Sequence, residues 1–155
     1  MNVYEYAMKV EKEGESYYRQ MAEKAENSGL KRIFTMLADE EVKHYNIFRN
    51  MMKNEDMDLD KLDLITDTET IFKTLNEERD NVNLDSEHIQ YYKEAIDRED
   101  NSFDFYASKA KELENKKEKE IFLQIANEEK KHKRVLEEIV LYLEEPASWV
   151  ACAEF

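Results

Sequence analysis

From Phe122 to Leu143, apolar residues recur in steps of three and four. Phe122, Ile125, Leu136, Ile139 and Leu143 share one stripe, and Glu129 and His132 occupy its centre. That spacing marks the core-facing side of an α-helix. A carboxylate buried there without a partner is strongly destabilising, so Glu129 must be protonated, paired or bound to a cation. Glu129 and His132, three residues apart, lie on the same helix face. An oxygen donor and a nitrogen donor at that spacing suit a transition metal.

The pattern occurs twice. Ile33, Phe34, Leu37, Ala38, Glu40, Glu41, His44, Ile47 and Phe48 align without a gap to Ile121, Phe122, Ile125, Ala126, Glu128, Glu129, His132, Val135 and Leu136, each pair 88 residues apart. The same offset pairs Ala7, Met8, Glu11, Gly14, Tyr17, Tyr18 and Ala22 with Ala95, Ile96, Glu99, Ser102, Phe105, Tyr106 and Ala110. The chain therefore reads as two helix–helix repeats, each supplying one lone Glu and one Glu-x-x-His.

The first helix is predicted over residues 2–27, with Val3, Ala7, Val10, Gly14, Tyr17 and Met21 on one stripe and Tyr4, Met8, Glu11, Glu15, Tyr18, Ala22 and Ala25 on its neighbour. Asn27-Ser28-Gly29 reads as a short turn whose glycine suits a helix C-terminus. The second helix is predicted from Leu30 to Lys53, antiparallel to the first. Residues 54–85 are acidic and poorly periodic, with a short helix possible over Thr68–Asp80. A connection of this length implies a crossover along the bundle. The third helix is predicted to start behind an N-cap at Ser86, with His88 in a surface or capping role. Its seam is Tyr92, Ile96, Glu99, Phe103, Tyr106, Ala110 and Leu113. A charged turn over Lys111–Lys119 leads to a fourth helix that runs to Glu144 and is stopped by Pro146. The tail carries Trp149, Val150, Cys152 and Phe155, and is expected to fold back as an apolar hook. Met8, Met21, Met36, Met51 and Met52 read as core filler. The expected architecture is all-α: an antiparallel four-helix bundle with a long crossover between helices two and three.

Composition supports this picture and narrows the partners. Two glycines, one proline and 39% charged residues describe a helical chain, and 155 residues suffice for one domain with a real core. A net charge of −14 argues against nucleic acid or anionic membrane surfaces. A single cysteine allows no disulfide framework and no Cys-x-x-Cys knuckle within the chain. With no apolar leader and no run of membrane-spanning length, the expected location is the cytoplasm.

Four helices thus bring Glu11, Glu41, His44, Glu99, Glu129 and His132 to mid-seam. Four glutamates and two histidines match the carboxylate-bridged di-metal site of helical bundles. Oxygen-rich ligation with one imidazole per ion suits iron or manganese better than structural zinc. The alternative is a satisfied polar core network with no metal. Tyr18 and Tyr106 follow Glu11 and Glu99 by seven residues. They serve either as ordinary aromatic packing or as phenols hydrogen-bonded to ligand carboxylates across the bundle. Three functions are compatible with such a site. It could reduce hydrogen peroxide or dioxygen, store or sequester iron as a ferroxidase-like protein, or use its metal only to hold the bundle together.

The segments AMKVEKEGESYY, LADEEVKHYNIF, AIDREDNSFDFY and IANEEKKHKRVL resemble the four helices of the rubrerythrin family, within the ferritin-like superfamily. The resemblance covers about residues 2–144. It implies two iron ions, with Glu11 and His44 on one, Glu99 and His132 on the other, and Glu41 and Glu129 bridging. It also implies peroxide reduction and a homodimer. Typical members carry a C-terminal rubredoxin-like domain and an additional carboxylate one turn after the third-helix ligand. Here Cys152 stands alone and the second position is Ser102. The site is therefore expected to be more symmetric, with electrons coming from a separate carrier such as a rubredoxin.

Overall fold

A computed structural model describes residues 1–54 and 86–144 of the chain. Among the described residues there are four α-helices and no strand: α1 (Val3–Lys24), α2 (Ser28–Met52), α3 (Ser86–Glu112) and α4 (Lys116–Glu144). The crossover, the short helix at Thr68–Asp80, Pro146 and the tail with Trp149, Val150, Cys152 and Phe155 lie outside the described residues, as does the side chain of His88. No described helix is long and apolar enough to cross a membrane.

Three helices start on an asparagine. The side chains of Asn2, Asn27 and Asn115 accept from the backbone N–H of Glu5, Leu30 and Glu118 at 2.8, 3.0 and 3.0 Å. Each satisfies one of the donors that a helix start leaves free. This corrects the expected role of Gly29. It lies buried in the first turn of α2 and is not in a left-handed conformation, so Asn27 supplies the stop-and-start signal. The charged turn is likewise shorter than expected. Lys and Glu are good helix formers, and α3 and α4 consume all but residues 113–115.

α1 packs against α2 and α3 against α4, as antiparallel hairpins. The ring contacts set the relation between the pairs. Phe34 stacks on Tyr92 at 5.4 Å and Phe48 on Tyr106 at 5.2 Å, so α2 and α3 run parallel. No tight turn joins parallel helices, which is the topology a lengthwise connection implies.

The core forms two apolar clusters with a polar layer between them. One gathers Leu30, Phe34, Leu37, Tyr92, Leu136 and Ile139; the other gathers Phe48, Met51, Tyr106, Ile121, Phe122 and Ile125. Each large side chain buried this way contributes about 1.5–3 kcal/mol. Met21 and Met51 are buried, and Met8 and Met36 pack partly buried against the clusters. Met52 departs from the expected filler role: it follows Met51 by one position, turns off the seam and is exposed.

Candidate metal centre

The six polar seam residues meet in the layer between the clusters. Glu11, Glu41, His44, Glu99, Glu129 and His132 are all at most 3% exposed. The helix pairs bring them together across the repeats. His44 Nδ1 lies 2.9 Å from Glu129 Oε1 and 3.5 Å from Glu11 Oε2. His132 Nδ1 lies 3.2 Å from Glu41 Oε1 and 3.4 Å from Glu99 Oε1. The two imidazoles stack with centroids 5.7 Å apart. Exchanging each residue for its counterpart 88 positions away reproduces the same contacts, so the repeat is an approximate two-fold axis through the site.

Tyr106 donates its hydroxyl to Glu11 Oε1 at 2.7 Å, and Tyr18 donates to Glu99 Oε1. Each phenol thus reaches a carboxylate of the other repeat. It fixes Oε1 of that carboxylate and leaves Oε2 without a hydrogen-bond partner. Both phenols also pack in the core, so the aromatic and the hydrogen-bonding readings hold together.

All six residues have buried atoms with no hydrogen-bond partner: Oε2 of Glu11 and Glu99, Oε1 of Glu41 and Glu129, and both ring nitrogens of His44 and His132. Buried polar atoms are almost always satisfied, so unpartnered atoms on six residues in one place require cations or protons. Glu11, Glu41, His44 and Glu129 each offer an atom within 4.8 Å of the others, and so do Glu41, Glu99, Glu129 and His132. Glu41 and Glu129 belong to both groups. The donor set therefore fits two adjacent ions.

Without metal, protons take that role. Burial, reinforced by the surrounding carboxylates, pushes Glu41 and Glu129 well above the usual carboxylate range. Glu11 and Glu99 feel the same burial. Hydrogen bonding to Glu41 and Glu129, together with the facing His44 and His132, outweighs it and holds them below the ordinary value. Burial also opposes the charge on His132, but Glu99 more than compensates and raises it. Tyr18 and Tyr106 are raised far enough, by burial first and by Glu99 and Glu11 next, to remain neutral donors.

Three features went unread in the sequence. Gly14 leaves room for Glu41: a Cβ there would stand 2.6 Å from Glu41 Oε2. Glu40 and Glu128 are buried beside the site and salt-bridged to Lys43 and Lys131 at 2.9 and 3.3 Å. Their matched positions in the repeat were the available signal. Arg98 lies with Gly14 and Ser102 along an opening between α1 and α3 that leads to Glu41, Glu99 and Glu129. Ser102, one turn after Glu99, contributes only a hydroxyl.

A bundle with one Glu from each of two helices, and Glu-x-x-His from each of the other two, is a protein of the di-metal carboxylate class. A family model described as Rubrerythrin matches residues 2–140, and the chain belongs to that ferritin-like di-iron family. No curated protein and no solved structure gives a significant match.

Proposed function

We propose that the site holds two iron ions and that the protein reduces hydrogen peroxide, or dioxygen, with electrons from a separate donor such as a rubredoxin-like carrier. Glu11 and His44 hold one ion, Glu99 and His132 the other, and Glu41 and Glu129 are shared. The observation that carries this reading is the set of six buried residues with unpartnered atoms, in two groups that share Glu41 and Glu129. Bound ferrous ions supply two electrons to an oxidant; the chain supplies the rest. Four carboxylates offset the charge of two cations and favour their more oxidised form. Tyr18 and Tyr106 hold the outer carboxylates in place, and the apolar clusters on either side exclude bulk water.

The test is an anaerobic ferrous titration followed by one equivalent of peroxide. Two ions per chain, and near-ultraviolet ferric absorption within seconds, support the proposal. Iron that stays ferrous, or that leaves as a growing mineral, replaces it with iron storage.

A further inference from the structure

Two aromatic chains lead from the acidic centre towards solvent, each spanning α1 and α3, and they differ at their middle member. In the first, Tyr18 donates to Glu99, the Tyr17 ring meets Tyr18 edge-on at 6.4 Å, and Tyr91 lies 6.4 Å beyond Tyr17. Tyr91 is 38% exposed, so this chain ends in solvent. In the second, Tyr106 donates to Glu11, Phe105 meets Tyr106 at 5.3 Å, and exposed Tyr6 lies 4.7 Å beyond Phe105. The offset that relates Tyr18 to Tyr106 relates Tyr17 to Phe105.

A phenol gives up an electron readily when its proton can leave at the same time, whereas a benzene ring has no such proton. Every phenol of the first chain has an acceptor in place. Glu99 accepts from Tyr18, and Glu94 Oε2 lies 3.3 Å from the Tyr17 hydroxyl, which also donates to the Tyr91 carbonyl at 2.8 Å. Tyr91 has solvent. The second chain is interrupted at Phe105.

We propose that Tyr18, Tyr17 and Tyr91 form a one-electron relay between the buried centre and the surface, used when dioxygen arrives and no electron donor is present. This inference rests on the di-iron reading above. The electron count decides when the relay acts. Hydrogen peroxide takes two electrons and two protons to become two waters, and two ferrous ions supply both electrons. Dioxygen takes four of each, so two electrons are missing. One comes from Tyr91 by way of Tyr17 and Tyr18, each oxidised and reduced again in turn; the other comes from a further ferrous ion in solution. Tyr91 loses one electron, and one proton to solvent, and is left a neutral phenoxyl radical. Two such radicals on separate molecules then join through a ring carbon–carbon bond as dityrosine.

The experiment mixes the anaerobic full chain, carrying two ferrous ions and a third in solution, with dioxygen. Near-ultraviolet absorption, radical signals by paramagnetic resonance and cross-links by peptide mass spectrometry are then followed. The relay predicts ferric absorption, a tyrosyl radical and dityrosine-linked dimers joined at Tyr91. Chain carrying two ferrous ions and given one equivalent of peroxide should show the ferric absorption with no cross-link. Tyr17→Phe should keep the ferric absorption and lose the cross-link. Adding Phe105→Tyr to that variant should restore cross-linking, now at Tyr6. Ferric absorption without any radical or cross-link in the unaltered protein, or undiminished cross-linking in Tyr17→Phe, overturns the relay alone. Absence of ferric absorption with either oxidant overturns the di-iron reading and the relay with it.

Discussion

Gly14→Ala separates the stability of the bundle from the integrity of its site. The new Cβ would stand 2.6 Å from Glu41 Oε2 and 3.1 Å from its Cδ, whereas ordinary contact begins at 3.4 Å. The carboxylate must retreat by the difference between 3.4 and 2.6, about 0.8 Å. Two effects on folding oppose each other. Alanine in a helix interior is about 1 kcal/mol better than glycine. Crowding a packed core costs about 1–3 kcal/mol. The net loss is therefore about 0–2 kcal/mol, and the metal-free variant should fold. Metal binding fares worse, because Glu41 belongs to both donor groups. Loss of a side chain that merely supports a ligand weakens metal affinity about 10–100-fold, and displacing a shared ligand should do at least as much for both ions. Titration with ferrous or cobaltous ion, alongside thermal unfolding of the metal-free protein, reads the two effects separately. Ser102→Ala, at the repeat-related position, adds no Cβ and should leave affinity near the parent value. If Gly14→Ala binds two ions as tightly as the parent, the close approach of Glu41 to α1 does not constrain the site.

Glu41→Ala and Glu129→Ala should each abolish binding of both ions; retention of two equivalents in either, by metal analysis, would disprove sharing. Tyr18→Phe and Tyr106→Phe should each lower stability by about 1–3 kcal/mol in urea by orphaning a buried carboxylate oxygen, and should weaken metal binding. Asn27→Ala should lower stability by about 1 kcal/mol through loss of the α2 cap, with metal stoichiometry unchanged. The metal-free protein should lose stability as pH rises. Glu41, Glu129 and His132 have raised folded-state values, so their contribution is fully present below the unfolded values of 4.5 and 6.5 and is lost as pH climbs through the folded ones. Glu11 and Glu99, held low, act oppositely and only below 4.5. Metal affinity should instead rise with pH, because ions displace those protons. A metal-free melting temperature that climbs from mildly acidic to mildly alkaline conditions would contradict this assignment.

Much of the architecture was legible in the linear pattern. Apolar steps of three and four identify a helix face whatever it packs against, so four helices could be read directly. Glu129 and His132 stood out because a core stripe tolerates charge only for a reason, and the offset to Glu41 and His44 showed that the reason occurs twice. All six polar seam residues meet in one layer. Helix ends were read less well at Gly29, because local preference did not reveal that Asn27 would take the cap.

Periodicity assigns a residue to a face but not to a neighbour, and that limit separates what the sequence by itself determined from what only the tertiary structure decided. That His44 faces Glu129 and His132 faces Glu41 depends on the register between helices distant in the chain. So does the room Gly14 leaves for Glu41. Glu40 and Glu128 look like ordinary solvent-side charges in the linear pattern, yet packing buries them. The contact of Tyr17 with Tyr91, and of Phe105 with Tyr6, arises only once α1 and α3 lie side by side. Local sequence sets helix and face through short-range backbone and burial preferences, while axial register and rotation are settled jointly by every side chain in the core.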